Sequence, residues 1–228
     1  MMLTAFLPCR LGSQRVPNKN IRDFAGIEGG LLKIKLEQLC KTKELDRIVV
    51  SSNDPRVLEF ASKFCDNRIS IDERSDELGS NKTTTDQLIK YVPTIIGEGH
   101  VIWTHVTSPF LNEIDYKTII NTYYECLELG YDSLMTVLKI QGFIWNKKEA
   151  INYNRNILKW PMTQDIEPVF EVDSGAFLTS IDNYKKFGDR IGINTFLFEQ
   201  EKNKSIDIDW PEDFKMAEQI WRVKGQNL

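Results

Sequence analysis

Histidine is scarce in this chain, and the cysteines form no recognisable metal-binding pattern. The only histidines are His100 and His105, and the four cysteines are scattered without a C-x-x-C pair. A zinc site needs several Cys or His ligands at short spacings, so the sequence argues against one. We expect the cysteines to be small buried hydrophobic residues.

Long apolar runs and an excess of positive charge are missing as well. No apolar run approaches the length of about 18 residues that a membrane span requires, and no signal peptide is recognisable. The formal net charge is -4, whereas binding to a nucleic acid backbone draws on surplus Lys and Arg. We therefore expect no membrane and no nucleic acid partner, and a location in the reducing cytoplasm.

The composition is that of an ordinary globular protein. Hydrophobic residues make up 41% of the 228 residues and charged residues 27%. No internal repeat, low-complexity tract or linker divides the chain. We expect a single domain over residues 1–228 with a full hydrophobic core.

Short apolar runs alternate with segments of helical periodicity along the chain. This alternation predicts an α/β fold, with a mainly parallel twisted sheet and helices on both of its faces. The predicted strands are 3–7, 47–52, 69–71, 100–105, 132–138, 176–179 and 194–198. The predicted helices are 31–43, 83–96, 116–129, 181–187 and 211–224, with a further helix starting at Pro55.

The alternation stops between residues 139 and 172. This segment contains two prolines and several polar turns, together with Phe143, Trp145 and Trp160. Aromatic residues on an irregular segment are typical of a subunit interface. We expect this excursion to form a homodimer contact, and a lid over the functional site is the alternative.

The stretch from Pro8 to Asn20 follows the first predicted strand and is rich in cations. Arg10, Arg15 and Lys19 lie in a loop with Gly12 and Ser13 between them. Guanidinium, ammonium and backbone N–H groups together suit a polyphosphate. The loop is not a P-loop of the G-x-x-x-x-G-K-[ST] type, because no second glycine precedes Lys19. A solvated basic loop is the competing interpretation.

Two carboxylates stand two residues apart near the C-terminal end. In an extended segment, Asp207 and Asp209 face the same side and can both reach one hard cation such as Mg²⁺. The structural alternative is a solvated segment in which Asp209 caps the helix that starts at Pro211.

Three further stretches carry candidate polar residues, and the one that follows the strand 100–105 lies where ligands bind in open α/β sheets. They are Arg74 with the threonine run 83–85, His105 with Thr107 and Ser108, and Ser174 with Gly175. The alternatives are a charged surface loop for Arg74, a core histidine for His105 and a simple turn capped by Ser108.

In their order and spacing these stretches resemble the CMP-sialic acid synthetase family, the cytidylyltransferases that activate acidic 2-keto sugars. The family's first signature reads roughly P-A-R-x-G-S-x-x-x-P-x-K-N, and Cys9 stands here where Ala is usual. The matching residues are Pro8, Arg10, Gly12, Ser13, Pro17, Lys19 and Asn20. The family's C-terminal signature is matched by Asp207, Asp209, Asp213 and Phe214.

The resemblance implies a nucleotide-diphospho-sugar transferase-like fold and a role for each matched residue. Asp207 and Asp209 would hold the catalytic Mg²⁺ and, with Arg10 and Lys19, form the catalytic set. The implied nucleotide-binding residues are Arg10, Gly12, Ser13, Lys19, Asn20, Arg74, Thr84 and Thr85. The implied substrate-binding residues are His105, Thr107, Ser108, Gln164, Ser174 and Gly175.

The implied reaction is transfer of CMP from CTP to the anomeric hydroxyl of an acidic 2-keto sugar, with release of pyrophosphate. His105, Thr163 and Ser174 replace the family's usual Gln, Arg and Asn around the sugar. We therefore expect a modified keto-sugar acid to be a better acceptor than N-acetylneuraminic acid. Any acceptor carboxylate would have to meet another cation of the excursion, namely Lys139, Arg155 or Lys159.

Two other functions remain open from the sequence. One is a nucleotidyltransferase acting on a different sugar or sugar phosphate, although such enzymes favour a more glycine-rich opening loop. The other is a catalytically inactive binding protein, which the intact Asp207 and Asp209 disfavour. No residue stands out in the sequence as a general base.

Overall fold

The computed structural model describes residues 1–80 and 82–225, and these residues form a seven-stranded sheet. The strand order is β3-β2-β1-β4-β6-β5-β7. Every neighbouring pair is parallel except those of β6, which runs antiparallel to β4 and β5. The predicted mainly parallel sheet is therefore confirmed. The strands are β1 (Leu3–Cys9), β2 (Arg47–Ser52), β3 (Ile69–Glu73), β4 (His100–Trp103), β5 (Ser133–Ile140), β6 (Val169–Ser180) and β7 (Thr195–Glu199).

Helices cover both faces of this sheet, as predicted. Alternate residues of β1 point to opposite faces, so that Leu7 joins one buried apolar cluster and Phe6 the other. The helices are α1 (Gly30–Lys41), α2 (Pro55–Ser62), α3 (Asp76–Gly79), α4 (Thr85–Ile96), α5 (Glu113–Glu128), α6 (Ile181–Phe187) and α7 (Pro211–Gly225). None of them, within the residues described, is long and apolar enough to cross a membrane.

The two faces carry different sets of helices. The larger cluster contains apolar residues of α1, α2, α5 and α7, and the smaller one contains residues of α4 and α6. Asp54 caps α2 by accepting a hydrogen bond from Arg56 N, and Pro55 occupies the first helical position. These local signals explain why the helix prediction was accurate there.

The excursion at 139–172 is shorter than predicted, because its two ends belong to the sheet. β5 continues to Ile140 and β6 begins at Val169, and these two residues pair with one another. Between the strands lie an isolated bridge from Trp145 to Ala150 and a short 3-10 helix, Thr163–Asp165. Antiparallel pairing over four residue pairs outweighs the weak strand signal of each arm taken alone.

Aromatic residues of the excursion pack on one another while staying accessible. Phe143 stacks edge-on against Tyr153 and Trp160 at 5.2 and 5.3 Å between ring centroids. The Arg155 guanidinium lies over Trp145 and Trp160. Trp160 is still 64% exposed, so the cluster leaves much of its apolar surface uncovered.

Candidate active site

A cleft of about 590 Å³ opens where β1 and β4 end and brings most of the predicted site residues together. Ligands of open α/β sheets bind at this edge. The predicted residues that line it are Arg10, Ser13, Lys19, Asn20, Arg74, Thr85, His105, Thr107, Ser174, Asp207 and Asp209. Those that do not line it are Gly12, Thr84, Ser108, Gln164 and Gly175.

The opening loop is held in place from both of its ends. Asn20 donates from Nδ2 to the Arg10 carbonyl at 3.1 Å, which closes the loop on itself. The Asn20 carbonyl in turn accepts a hydrogen bond from Leu32 N in α1. Gly12 adopts a φ of 80°, a left-handed conformation that a side chain would disfavour. Gly12 therefore shapes the loop without lining the cleft itself.

The loop meets the C-terminal carboxylates through Lys19 and Arg15. Lys19 Nζ lies 2.6 Å from the Ile208 carbonyl and 3.3 Å from Asp209 Oδ1. Arg15 Nη2 lies 3.2 Å from the same Asp209 oxygen, and its guanidinium stacks over Trp210 at 4.7 Å. Two cations of the loop are thus paired with one carboxylate of the cleft.

Asp207 and Asp209 stand on an extended segment that is not part of the sheet. The segment is held to the loop after β4 by one backbone bond, from Ile208 N to Thr107 O at 2.9 Å. Ile208 is buried in the core between the two carboxylates. Both aspartates line the cleft, as the two-residue spacing predicts.

The alternative in which Asp209 caps α7 is wrong, because Asp213 does so. Asp213 Oδ2 accepts hydrogen bonds from Asp209 N at 3.1 Å and from Trp210 N at 2.8 Å. A carboxylate at the third helical position that reaches back to the start of a helix satisfies otherwise unpaired N–H groups. The Asp209 side chain stays directed at the loop cations.

Asp207 is a partly buried carboxylate with an unused oxygen. Burial raises the pKa of Asp207 above its usual range, while a hydrogen bond with Thr107 opposes that shift. The negative charge of Asp209 raises the pKa further. Its Oδ1 is buried without a hydrogen-bond partner among the residues described. A buried acceptor of this kind is costly unless a ligand satisfies it.

The donor set suits a divalent cation that also binds phosphate oxygens. Asp207 and Asp209 offer two hard oxygen ligands, the type that Mg²⁺ prefers. In the described part of the chain, no group of three or more His, Cys, Asp or Glu side chains is arranged to hold a metal ion. Mg²⁺ commonly takes one or two protein carboxylates and completes its coordination with water and substrate phosphates.

Arg74 forms a second unsatisfied group at the wall of the cleft. It is only 3% exposed, and its Nη1 makes one long hydrogen bond of 3.4 Å to Leu78 O. Its Nε and Nη2 have no hydrogen-bond partner within the described residues. Burial lowers the pKa of Arg74 from its ordinary value, but a guanidinium stays protonated. Arg74 therefore presents a charged donor that lacks an acceptor.

The threonines of the run 83–85 have different structural roles. Thr84 caps α4 by accepting from Gln87 N, so its hydroxyl is used within the helix start. Thr83 and Thr85 line the cleft instead, and Thr83 donates to the Glu77 carbonyl at 2.7 Å. Of the two predicted threonines, the structure therefore brings Thr85 to the cleft and keeps Thr84 in the helix cap.

His105 lines the cleft with both of its ring nitrogens already engaged. Trp103 Nε1 donates to His105 Nε2 at 2.9 Å, so the proton of the neutral ring resides on Nδ1. Nδ1 then donates to the Ser174 carbonyl at 2.8 Å. Burial lowers the pKa of His105 to about 4. His105 is a neutral wall of the cleft, and no ring nitrogen is left for a substrate.

Ser174 lies on a bulge in β6, whereas the sequence predicted a turn. Its φ is 60°, and the register of β5 against β6 shifts at this point, between Met135 and Val137. Ser108 and Gly175 are buried behind it, where the Gly175 carbonyl accepts from Thr104 Oγ1 at 2.7 Å. The bulge is what lets Ser174 face the cleft.

Gln164 does not line the cleft. It lies in the short 3-10 helix of the excursion and is exposed, with a contact of 3.8 Å to the Met162 sulfur. The neighbouring Thr163 is exposed too. Within one chain, the structure gives neither residue access to the cleft.

Sequence reasoning missed two cations, Lys35 and Arg190. Lys35 is fully buried and donates to Ser108 O at 2.8 Å and to the Tyr116 hydroxyl at 2.6 Å, behind the loop that carries Thr107. Lys35 follows Leu31 by four positions and therefore lies on the same apolar face of α1. This spacing could have indicated a buried lysine. Arg190 lines the cleft from the segment after α6, and no motif marks it.

Comparison with known proteins places the chain in a family. Residues 4–227 match the family described as Cytidylyltransferase, so the chain belongs to the cytidylyltransferase family. It is therefore a nucleotidyltransferase that uses CTP, as the opening and C-terminal signatures predicted.

Two curated relatives carry more specific names. The chain is 24% identical over 235 residues to a pseudaminic acid cytidylyltransferase of Campylobacter jejuni, covering 97% of each protein. It is 23% identical over 249 residues to a CMP-N,N'-diacetyllegionaminic acid synthase of Legionella pneumophila, covering 100% of each.

A solved structure has the same fold. It is a CMP:2-keto-3-deoxy-manno-octonic acid synthetase complexed with CTP, with a TM-score of 0.69 and 14% identity. The match covers 98% of this chain and 100% of the other. At this identity the likeness supports the fold alone, which is the predicted α/β arrangement.

Proposed function

We propose that this cytidylyltransferase transfers CMP from CTP to the anomeric hydroxyl of an acidic 2-keto sugar and releases pyrophosphate. The observation that carries the proposal is the meeting of a cationic loop and two carboxylates in one cleft. Lys19 and Asp209, which approach to 3.3 Å, mark that meeting point. A triphosphate needs both kinds of group, cations for its oxygens and ligands for its metal ion.

The cationic side of the cleft would hold the phosphates. Arg10, Ser13 and Lys19 line it. In-line attack on the α-phosphorus places negative charge on its non-bridging oxygens and on the leaving pyrophosphate. Cations held ready at these oxygens stabilise that charge without reorganising during the reaction. Arg15 and Lys19 would turn from Asp209 to the phosphates as CTP binds.

Asp207 and Asp209 would hold Mg²⁺. The unused, buried Oδ1 of Asp207 supports this role, as does the pairing of Asp209 with the loop cations Lys19 and Arg15. When bound, the ion would neutralise charge on the α-phosphate and orient the acceptor hydroxyl. The protein holds the two carboxylates in place in two ways. Ile208 between them is buried, and the Asp213 side chain accepts a hydrogen bond from Asp209 N.

The opposite wall would select the nucleotide. Arg74 has two N–H-bearing atoms without acceptors, and Thr85 lies beside it in the cleft. Cytosine offers its O2 carbonyl and its N3 ring nitrogen as acceptors, which would satisfy the Arg74 donors, whereas N3 of uracil carries a proton and cannot accept. Because the cost of an unsatisfied buried guanidinium is removed on binding, Arg74 would contribute to affinity.

The acceptor would lie against Thr107, Ser174 and the ring of His105. His105 has no free ring nitrogen, so the substrate would meet its edge as a neutral surface. A cleft with fewer fixed polar contacts accommodates a sugar with altered substituents. Together with the names of the two curated relatives, this supports pseudaminic or legionaminic acid over N-acetylneuraminic acid as the acceptor.

The enzyme would act as a homodimer in the cytoplasm, where CTP is found. The dimer proposal is supported by the exposed apolar side chains of the excursion. Ile157, Trp160 and Met162 are all more than half exposed there.

A matrix of substrates tests the proposal. Pyrophosphate release would be measured for CTP, UTP, ATP and GTP, each with pseudaminic acid, N,N'-diacetyllegionaminic acid or N-acetylneuraminic acid in the presence of Mg²⁺. We expect turnover with CTP and one of the first two acids, and a lower kcat/KM for N-acetylneuraminic acid. Release with CTP that does not depend on any keto-sugar acid would contradict the proposed acceptor class.

A further inference from the structure

Arg190 is a cation that lines the cleft but does not belong to the opening loop. It lies in the segment between α6 and β7, and its side chain lines the same cleft as Asp207 and Asp209. Its guanidinium stacks on Phe177 at 3.6 Å from the ring centroid and lies 5.1 Å from the centre of the Trp103 ring. Trp103 and Phe177 face each other across β4 and β6. Arg190 therefore rests on a rigid aromatic platform built by the sheet.

The described part of the chain does not pair the Arg190 guanidinium with an anion. Burial lowers the pKa of Arg190, and the nearby Asp189 carboxylate acts to raise it. Within the described residues, no carboxylate forms an ion pair with this guanidinium, and the neighbouring Asp189 accepts a hydrogen bond from the Arg190 backbone N instead. A half-buried guanidinium without an anion is unfavourable. Stacking on aromatic rings leaves the N–H groups at its edge free for an anion in the guanidinium plane. Such an arrangement suits a carboxylate, which can accept two parallel hydrogen bonds.

Arg190 lies on the acceptor side of the cleft. Phe177 and Trp103, on which its guanidinium lies, are also the ring neighbours of His105, at 6.5 and 6.2 Å between ring centroids. His105 and Ser174 form the wall that the acceptor would contact. The loop cations Arg15 and Lys19 are instead paired with Asp209. The cleft thus has separate cations for two anionic ligand groups.

The cations that the sequence offered for this role are placed elsewhere. Lys139 lies 3.6 Å from Glu199, and Arg155 stacks on the excursion's own tryptophans. Neither of them, nor Lys159 or the exposed Thr163, lines the cleft of this chain. In the residues described, the acceptor side of the cleft therefore has Arg190 as its guanidinium.

We propose that Arg190 binds the carboxylate of the acceptor sugar and thereby determines that the enzyme accepts acidic keto-sugars. This inference rests on the proposed function, since it assigns a residue to the acceptor of that reaction. It also explains how the cleft can recognise an acidic sugar although Thr163 carries no charge.

The test compares Arg190→Met and Arg190→Lys with the wild type. Met keeps the length of the side chain without its charge, and Lys keeps the charge without the planar pair of donors. Lys186→Met is the matched control, because Lys186 is an exposed cation of the neighbouring α6. The acceptor is whichever of pseudaminic acid, N,N'-diacetyllegionaminic acid and N-acetylneuraminic acid the wild type turns over fastest, together with its carboxamide.

We expect Arg190→Met to lower kcat/KM for the acid on the order of 10²-fold, the usual effect of removing one partner of a desolvated charge pair. The loss should appear as a higher KM for the acid, while KM for CTP and the thermal shift caused by CTP stay unchanged. The kcat/KM of Arg190→Lys for the acid should lie between those of the wild type and Arg190→Met, and that of Lys186→Met should match the wild type. The carboxamide should be a poor acceptor for the wild type and should lose little further activity in Arg190→Met.

Three results would overturn the assignment of Arg190. The first is an unchanged KM for the acid in Arg190→Met. The second is a fall in activity with the carboxamide, from wild type to Arg190→Met, as large as the fall with the acid. The third is a selective loss of CTP binding, which would place Arg190 on the nucleotide. If Arg190→Met does not fold, the KM of Arg190→Lys for the acid decides the question. A wild-type enzyme that turns over none of the acids with CTP would instead refute the proposed function itself.

Discussion

Lys19 Nζ lies 3.3 Å from Asp209 Oδ1, although 190 residues separate them in the chain. The contact joins the loop after the first strand to the segment before the last helix. Lys19 and Asp209 pair with each other without substrate. When CTP and its metal ion bind, Lys19 can turn to the phosphates and Asp209 to the metal ion. The relationship therefore predicts how nucleotide, metal and protein depend on one another.

The first prediction concerns the nucleotide. With Mg²⁺ present, CTP should raise the melting temperature more than UTP, ATP or GTP at equal concentration, because only the ligand that binds the native state well stabilises it. Differential scanning fluorimetry would measure the four shifts. Arg74→Met should reduce the CTP shift most, since Arg74 holds unsatisfied donors at the wall of the cleft. A shift with CTP no larger than that with ATP would refute the nucleotide assignment.

The second prediction concerns the two carboxylates. Asp207→Asn and Asp209→Asn should each lower kcat by at least roughly 10²-fold, as expected when charge stabilisation at the phosphates is lost. Turnover would be measured as a function of Mg²⁺ concentration. The control is Glu212→Gln, because Glu212 is an exposed carboxylate in the first turn of α7 and does not line the cleft. Near-native turnover of either variant at low Mg²⁺ would exclude that residue as a ligand.

The third prediction follows from the buried Lys35. Burial lowers its pKa from 10.5 to about 7, whereas in the unfolded chain it keeps its proton up to about pH 10. Between these values the unfolded state binds more protons, so the Lys35 contribution to the free energy of unfolding increases as pH rises. The slope is at most about 1.4 kcal/mol per pH unit.

Comparison with Lys35→Met isolates this contribution of Lys35. Urea unfolding from pH 7 to 9.5 should show the stability of the wild type rising relative to that of the variant. The comparison cancels the titration of the cysteines and tyrosines, which both proteins share. Parallel pH dependences would show that Lys35 keeps its proton in the folded state, as its hydrogen bonds to Ser108 O and Tyr116 also permit.

The fourth prediction concerns assembly. The wild type should have the mass of a dimer in light scattering at micromolar concentration, and the double variant Ile157→Asp, Trp160→Ser should be monomeric. Ile157 is 84% exposed and Trp160 64% exposed in the single chain, which fits side chains that a second subunit covers. Ile193→Asp alters an equally exposed residue, 80%, outside the excursion and should remain dimeric. A monomeric wild type would favour the lid interpretation.

Much of the fold could be predicted because its signals are local. The run Arg47–Ser52 forms β2 over the predicted span, and Asp54 followed by Pro55 fixes the start of α2. In contrast, β6 begins at Val169, seven residues before the predicted strand. Its first half becomes a strand through its pairing with β5, which is information that the segment itself does not contain.

The site residues that could be predicted from the sequence are also those with local signals. Asp207 and Asp209 could be predicted because their spacing and their neighbours form a signature. Arg190 could not, because its position depends on the platform of Trp103 and Phe177, which lie on distant strands. For His105 the sequence predicted the place but not the state, since the bonds to Trp103 and Ser174 that fix its tautomer arise only in the folded chain.

The reaction product tests the central claim most directly. CTP, Mg²⁺ and pseudaminic or N,N'-diacetyllegionaminic acid would be incubated with the wild type and with Asp207→Asn, and followed by ³¹P NMR and mass spectrometry. The account predicts a phosphodiester resonance of a CMP-sugar and pyrophosphate, appearing in equal amounts with the wild type and nearly absent with the variant. CTP consumed to CMP or CDP without a sugar adduct, or the same adduct at the same rate with Asp207→Asn, would contradict it.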